Sequence, residues 1–86
     1  MRIVFSNQFL KSVDELPVNT QNKLDRLLEL LKNNPYHPLL HTKQLGGNMT
    51  GYLSFRITRD WRVLFQFIDS QTIHLLDVGH RKDIYR

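Results

Sequence analysis

Arg56 and Arg62 are the residues whose type and position best suit chemistry on a charged group. They fall in two runs in which apolar and polar residues alternate, so a sheet would place both guanidinium groups on one face. A cation is costly to remove from water, so this pair must face solvent or an anion. Together they could hold a phosphodiester and stabilise the charge that develops in phosphoryl transfer. The structural alternative is that they pair with Asp60, Asp77 or water.

A second cluster of polar side chains follows the last apolar run, and it begins after a glycine. Within it, His80 and Tyr85 could each transfer a proton, with Arg81 beside them. The alternative is a frayed, solvated C-terminus. Asp60, in the turn between the two alternating runs, is either a reactive carboxylate or a residue that stabilises the turn through its own backbone.

The sequence predicts no metal ion and no small-molecule cofactor. It has no cysteine, which removes thiolate ligands and thiol nucleophiles. It has no glycine-rich phosphate loop or dinucleotide-binding motif. The four histidines lack the spacing of metal ligands; they are His37, His41, His74 and His80.

Length and charge predict one small domain, residues 1–86, with a polyanionic or acidic partner. The formal net charge is +4 and the pI is about 9.8. Residues 1–45 and 46–86 each hold six Lys or Arg and four Asp or Glu, so any basic patch must arise by folding. No apolar run approaches the roughly 20 residues that cross a bilayer, and the N-terminus does not resemble a signal peptide. We therefore expect a cytoplasmic protein.

The first half of the chain predicts a strand followed by two antiparallel helices. Arg2 to Phe5 alternates like a strand, and Ser6 is a suitable N-cap for a helix from Asn7 to about Leu16. A second helix, Val18 to Lys32, carries a stripe of leucines at helical spacing. The link between the helices is short enough to predict a helical hairpin.

The second half predicts an antiparallel sheet. Residues 42–45 could form a short strand before a glycine-rich turn. Pairing Ile57 with Val63, and Phe55 with Phe65, unites the apolar sets of the next two strands. A slip of one residue would bury Arg56.

A third strand, Thr72 to Val78, should follow the turn at residues 69–71. Its polar-face residues are predicted to be His74, Leu76 and Val78. The resulting fold class is α+β, with an N-terminal strand and helix hairpin packed on a roughly four-stranded antiparallel sheet.

The order and spacing of these segments resemble the RelE/ParE toxin superfamily of type II toxin–antitoxin modules, and RelE- and YafQ-like members in particular. The strongest likeness runs from Gln44 to Phe67 and from Val78 to Tyr85. The resemblance implies a compact fold similar to microbial ribonucleases. It also implies a cognate antitoxin protein as partner.

The resemblance further implies an endoribonuclease that inhibits translation. RelE-type members cut messenger RNA in the ribosomal A site, where the RNA 2′-hydroxyl attacks its own phosphodiester. By this likeness Arg62, Arg81 and Tyr85 match catalytic residues of RelE. Arg56 falls near a basic sheet-face residue, and His80 near the late histidine of YafQ-like members. Messenger RNA and the 70S ribosome are then partners.

The chain departs from RelE where that toxin carries paired lysines, because Ser54 and its neighbours leave Arg56 as the only cation there. Arginine stays protonated and is a poor general base. The base would then be His80, Tyr85 or Asp60. Further cations expected to contact RNA or ribosomal phosphates are Lys43, Arg59 and Lys82.

Two alternatives to RNA cleavage remain at this point. ParE toxins share the fold and poison DNA gyrase without cutting RNA, although they generally lack the arginine–tyrosine pairing present here. The chain could also be an inactive relative that only binds its antitoxin.

Overall fold

Two helices pack on a five-stranded mixed sheet in residues 1–85, the part of the chain that the computed structural model describes. The strand order across the sheet is β1-β5-β4-β3-β2. The helices and strands, in chain order, are β1 (Arg2–Phe5), α1 (Asn7–Asp14), α2 (Val18–Asn33), β2 (Lys43–Gln44), β3 (Leu53–Arg56), β4 (Trp61–Asp69) and β5 (Thr72–His80). Short 3₁₀ turns at Pro38–Leu40 and Gly47–Met49 flank β2.

The predicted α+β class is confirmed, and the sheet has one feature that the sequence did not specify. β1 joins the sheet beside β5 and runs parallel to it, with Ile3 opposite Ile73. The other neighbouring strands are antiparallel. Alternation within a strand reveals its faces but not its distant partner, so a pairing across some 70 residues could not be seen in the sequence.

The helix boundaries follow local signals in the sequence. The Ser6 side chain caps α1, since the Phe9 amide donates to its Oγ at 3.0 Å. Pro17 precedes α2, where its fixed φ is compatible with a helix start. The leucine stripe of α2 is largely in the core, with Leu24, Leu27 and Leu31 at 5% exposure or less.

The register of β3 against β4 differs from the predicted one by two residues. Phe55 lies opposite Val63, and Arg56 lies opposite Arg62. The predicted pairs of Ile57 with Val63 and Phe55 with Phe65 are therefore wrong. The Ile57 amide donates to the Trp61 carbonyl at 2.9 Å, so the ladder continues closer to the turn. A shift of two preserves the face of every side chain.

An extra residue in β5 changes which side chains reach the core. Leu64 lies opposite Asp77, whereas Phe65 lies opposite Leu75, so Leu76 has no partner in the ladder. This irregularity reverses the alternation beyond it. Val78 is consequently buried at 4% exposure, and its predicted place on the polar face is wrong.

The turn between β4 and β5 is held by a carboxylate. Asp69 Oδ1 accepts a hydrogen bond from the Gln71 amide at 2.8 Å. This bond, followed by one from the Thr72 side chain, lowers the pKa of Asp69 below its ordinary value.

No helix in residues 1–85 is both long and apolar enough to cross a membrane.

Candidate functional site

A cation-rich groove opens where the β3–β4 hairpin approaches α2. Its volume is about 570 Å³. It is lined by residues from the ends of β3 and β4 and their connection, from α2, from the first 3₁₀ turn and the residue after it, and from the start of the C-terminal turn. Among residues 1–85, five of its lining residues are Lys or Arg and none is Asp or Glu; the cations are Lys23, Arg56, Arg59, Arg62 and Arg81.

Arg56 and Arg62 are cross-strand partners, and both line this groove. Side chains directly opposite in a sheet are close neighbours, and like charges there are destabilising. One Nη of Arg62 donates to the Arg59 carbonyl at 2.9 Å, while its Nε is buried without a hydrogen-bond partner among residues 1–85. An anion bound between the two guanidinium groups would relieve this repulsion.

The carboxylate partners predicted as one alternative for this arginine pair are not observed in the described residues, whereas Arg56 is exposed to solvent, as the other alternative expected. Within residues 1–85, neither Arg56 nor Arg62 lies within ion-pair distance of a carboxylate, since Arg81 and Asp60 form the one salt bridge there. Asp77 instead accepts a hydrogen bond from the Ser12 hydroxyl at 2.6 Å.

Arg81 connects the C-terminal turn, residues 81–85, to the β3–β4 connection. Its amide donates to the Asp60 carbonyl at 2.7 Å, and its Nε lies 3.5 Å from Asp60 Oδ1. The two side chains are 43% and 52% exposed, so solvent weakens their attraction. The Asp60 carboxylate thus contacts Arg81, whereas the sequence suggested a role within its own turn.

Tyr85 is anchored on the sheet rather than frayed into solvent. Its hydroxyl donates to Ser54 Oγ at 2.9 Å, and Ser54 is only 2% exposed. Ile84 beside it is 7% exposed, and its Cδ1 would lie 3.6 Å from a Cβ added at Gly79. Because Ser54 and Arg56 are two residues apart on β3, they share a face, and the tyrosine hydroxyl is held on the sheet face that carries the arginine pair.

His80 is placed apart from the groove. It lines a second cavity of about 330 Å³ together with Trp61. The two rings meet edge to face at 5.5 Å, and His80 Nδ1 accepts from the Lys82 amide at 3.2 Å. The structure therefore brings Arg56, Arg62 and Arg81 together but leaves this histidine outside their groove.

The remaining predicted contact residues are scattered. Arg59 lines the groove, whereas Lys43 lies opposite Ser54 in the β2–β3 ladder and Lys82 is exposed in the C-terminal turn. Sequence reasoning missed Lys23, which reaches the groove from α2, and Ser54, whose burial no local pattern indicated. No three His, Cys, Asp or Glu side chains in the described chain are grouped to hold a metal ion.

Comparison with known proteins places this geometry in context. Residues 3–85 match the model of the family described as the ParE toxin of the type II toxin–antitoxin system, parDE. Among curated proteins, none matches the chain.

Several solved structures share the fold. YafQ from E. coli has a TM-score of 0.81 and 24% identity, with 100% of each chain covered. The YoeB/ParE toxin from Agrobacterium tumefaciens has a TM-score of 0.80 and 22% identity over 94% of this chain and 99% of its own. The RelB–RelE antitoxin–toxin complex from Methanococcus jannaschii has a TM-score of 0.77 and 23% identity, covering 95% of this chain and 94% of that chain.

Proposed function

The chain belongs to the ParE toxin family of type II toxin–antitoxin systems, and from this premise we propose that it is a ribosome-dependent endoribonuclease that cuts messenger RNA in the A site. This family membership confirms the resemblance to the RelE/ParE toxin superfamily. The observation that carries the proposal is the meeting of Arg56, Arg62 and Arg81 in one groove without a lining carboxylate.

The arginines would act on the scissile phosphate. Guanidinium groups bind phosphate oxygens through paired hydrogen bonds, and fixed cations stabilise the charge that grows in the transition state. The RNA 2′-oxygen loses its proton and bonds to phosphorus, the bond from phosphorus to O5′ breaks, and O5′ takes a proton. The products are a 2′,3′-cyclic phosphate and a 5′-hydroxyl.

Proton transfer is assigned first to Tyr85. Its hydroxyl is held by Ser54 on the face that carries Arg56, and a positioned side chain contributes about 10²–10⁴-fold to such a step. Asp60 is the weaker candidate because Arg81 already contacts its carboxylate. His80 is weaker because it lies opposite Trp61, whose side chain and that of Arg62 point to opposite faces of β4.

The proposed partners are RNA, the ribosome and an antitoxin. Arg59 would contact RNA within the groove, and Lys43 and Lys82 would contact messenger or ribosomal phosphates around it. RelE of M. jannaschii is in complex with the antitoxin RelB, and YoeB of Staphylococcus aureus with YefM. By analogy, a cognate antitoxin binds this chain. The toxin would act in the cytoplasm, where ribosomes are.

Primer extension on a defined messenger RNA tests the proposal in a reconstituted translation mixture with and without ribosomes. The wild type should cut within A-site codons only when ribosomes are present. Arg62→Ala and Tyr85→Phe should lose the cuts. Arg26→Ala, which removes an exposed cation of α2 that does not line the groove, should retain them. Absence of cleavage by folded, antitoxin-free protein would refute the proposal.

A second candidate function is inhibition of DNA gyrase, and the name of the matching family favours it. In that case the protein should block supercoiling of relaxed plasmid by purified gyrase, and messenger RNA should stay intact. Protein that is inactive in both assays but binds its antitoxin would support the third alternative, an inactive relative.

A further inference from the structure

The α2 wall of the groove points to a second phosphate site. We propose that Lys23, assisted by His41, binds the RNA phosphate next to the scissile one, so that the groove holds two successive phosphates. The ligand class rests on the proposed function, whereas the two-phosphate geometry rests on the groove itself. The arginine pair lines the groove from β3 and β4, and Lys23 lines it from α2.

The groove is larger than a single phosphate requires. Its volume of about 570 Å³ lies within the range of roughly 300–1,000 Å³ that holds small-molecule ligands. A nucleotide unit, with one phosphate on each side of its sugar, is a ligand of that class. Leu39 lies on the same α2 side and is 63% exposed, which offers an apolar surface to a sugar or base.

The charges of the groove exceed what one phosphodiester can neutralise. Five of the twelve Lys and Arg residues line it, and a phosphodiester carries one negative charge. Arg81 is already paired with Asp60, but if the three arginines contact the scissile phosphate, Lys23 and Arg59 still lack an anion within residues 1–85. Concentrated like charge destabilises a compact protein, and a second phosphate would relieve that repulsion.

The two acidic residues of α2 lie outside the cationic groove. Asp25 and Glu29 line another cavity together with Lys32 of the same helix, whereas Lys23 lines the cationic groove. Lys23 and Leu27 are four residues apart, so they share a helix face. Leu27 is buried at 5% exposure, and Lys23 therefore extends from the edge of the core into the groove.

His41 lines the groove together with Lys23. Its φ is 50°, because it ends the 3₁₀ turn at Pro38–Leu40 in the left-handed conformation, which histidine adopts more readily than most residues. The turn holds it there, since the His41 amide donates to the Pro38 carbonyl at 3.3 Å. A ring N–H of this histidine can donate to a phosphate oxygen.

Binding of short oligonucleotides by the purified full chain tests this site without ribosomes. The probes are a 2′-deoxy dinucleotide, with one phosphate, and a trinucleotide, with two; neither can be cut because the attacking hydroxyl is missing. Each neutralised phosphate of a single strand changes the slope of log K against log salt by about 0.7. For the wild type, the slope of log K against log salt should therefore be steeper by about 0.7 with the trinucleotide than with the dinucleotide.

Matched variants assign that increment to Lys23. Lys23→Ala should remove it and leave dinucleotide binding unchanged, whereas Arg26→Ala, in the same helix but outside the groove, should change neither slope. Lys23→Arg should restore the increment, which separates loss of charge from loss of fold. Arg62→Ala should weaken both probes.

The proposal is overturned if the second phosphate adds nothing, if neither probe binds, or if Lys23→Ala behaves like Arg26→Ala. Its failure is distinguishable from failure of the proposed function. A two-phosphate groove with no ribosome-dependent cutting would refute RNA cleavage and keep this site. Ribosome-dependent cutting of messenger RNA, together with equal salt slopes for the two probes, would refute the second phosphate site and keep RNA cleavage.

Discussion

The hydrogen bond from Tyr85 to Ser54 should couple the C-terminal turn to the sheet by a measurable free energy. The bond is 2.9 Å long. Its acceptor belongs to a residue that is 2% exposed, whereas Tyr85 is 36% exposed. Removing one partner at a time should therefore have unequal costs.

The magnitudes follow from what each substitution leaves behind. Tyr85→Phe leaves the Ser54 hydroxyl buried without its partner, which costs about 1–3 kcal/mol in the free energy of unfolding. Ser54→Ala leaves the tyrosine hydroxyl able to reach water, so we expect a loss of only about 0.5–1.5 kcal/mol. The double variant removes both polar groups, and the cycle should give a coupling energy of about 1 kcal/mol.

Urea unfolding of the wild type, both single variants and the double variant measures this cycle. Tyr36→Phe is the matched control because Tyr36 is 55% exposed and stacks on Phe67; its effect should stay within about 0.5 kcal/mol. A coupling energy below about 0.3 kcal/mol, or a larger loss for Ser54→Ala than for Tyr85→Phe, would refute the reasoning. We also expect Ser54→Ala to weaken messenger RNA cleavage less than Tyr85→Phe does.

Three further outcomes are expected. Asp60→Asn should destabilise the fold by less than about 1 kcal/mol, because the pair of Asp60 with Arg81 is exposed. The same variant should bind oligonucleotides more tightly at low salt, because it removes a negative charge beside the groove. Weaker binding would mean that Asp60 holds Arg81 in place. Asp69 has a pKa below its value of 3.8 in model peptides, so its stabilising effect is complete above that pH and is lost as pH falls through the lower, folded value. Asp69→Asn should flatten this acid limb in pH-dependent melting, with Asp14→Asn as the charge control. Leu31→Ala, at 0% exposure, should cost about 2–5 kcal/mol in denaturant unfolding.

Local patterns in the sequence predicted the elements and most of their faces. The Ser6 cap, the leucine stripe of α2 and the alternation in β3 and β4 each depend on contacts within a few residues or between adjacent strands. Alternation also placed Arg56 and Arg62 on one face. That result survived the error in register, because a shift of two residues leaves each side chain on the same side of the sheet.

The sequence could not predict what depends on long-range packing. The irregularity at Leu76 reverses the alternation of β5 and buries Val78, and no residue type in that strand marks it. The position of the C-terminal turn depends on Ile84 reaching Gly79 and on Tyr85 reaching Ser54. Those contacts hold the tyrosine hydroxyl on the sheet face that carries the arginine pair, whereas His80 lines a different cavity.

The energetics of the arginine pair connect the fold to the proposed function. A pair of cations directly opposite each other weakens a hairpin, and Arg56 could be relieved by a carboxylate on a neighbouring strand. In the described residues the nearby acids are used elsewhere, because Asp60 contacts Arg81 and Asp77 accepts from Ser12. No carboxylate of the described residues therefore offsets the repulsion, and an anion that enters the groove would gain binding free energy from its relief. Under the proposed function that anion is RNA, whose regularly spaced phosphates would meet the arginine pair and Lys23 in turn.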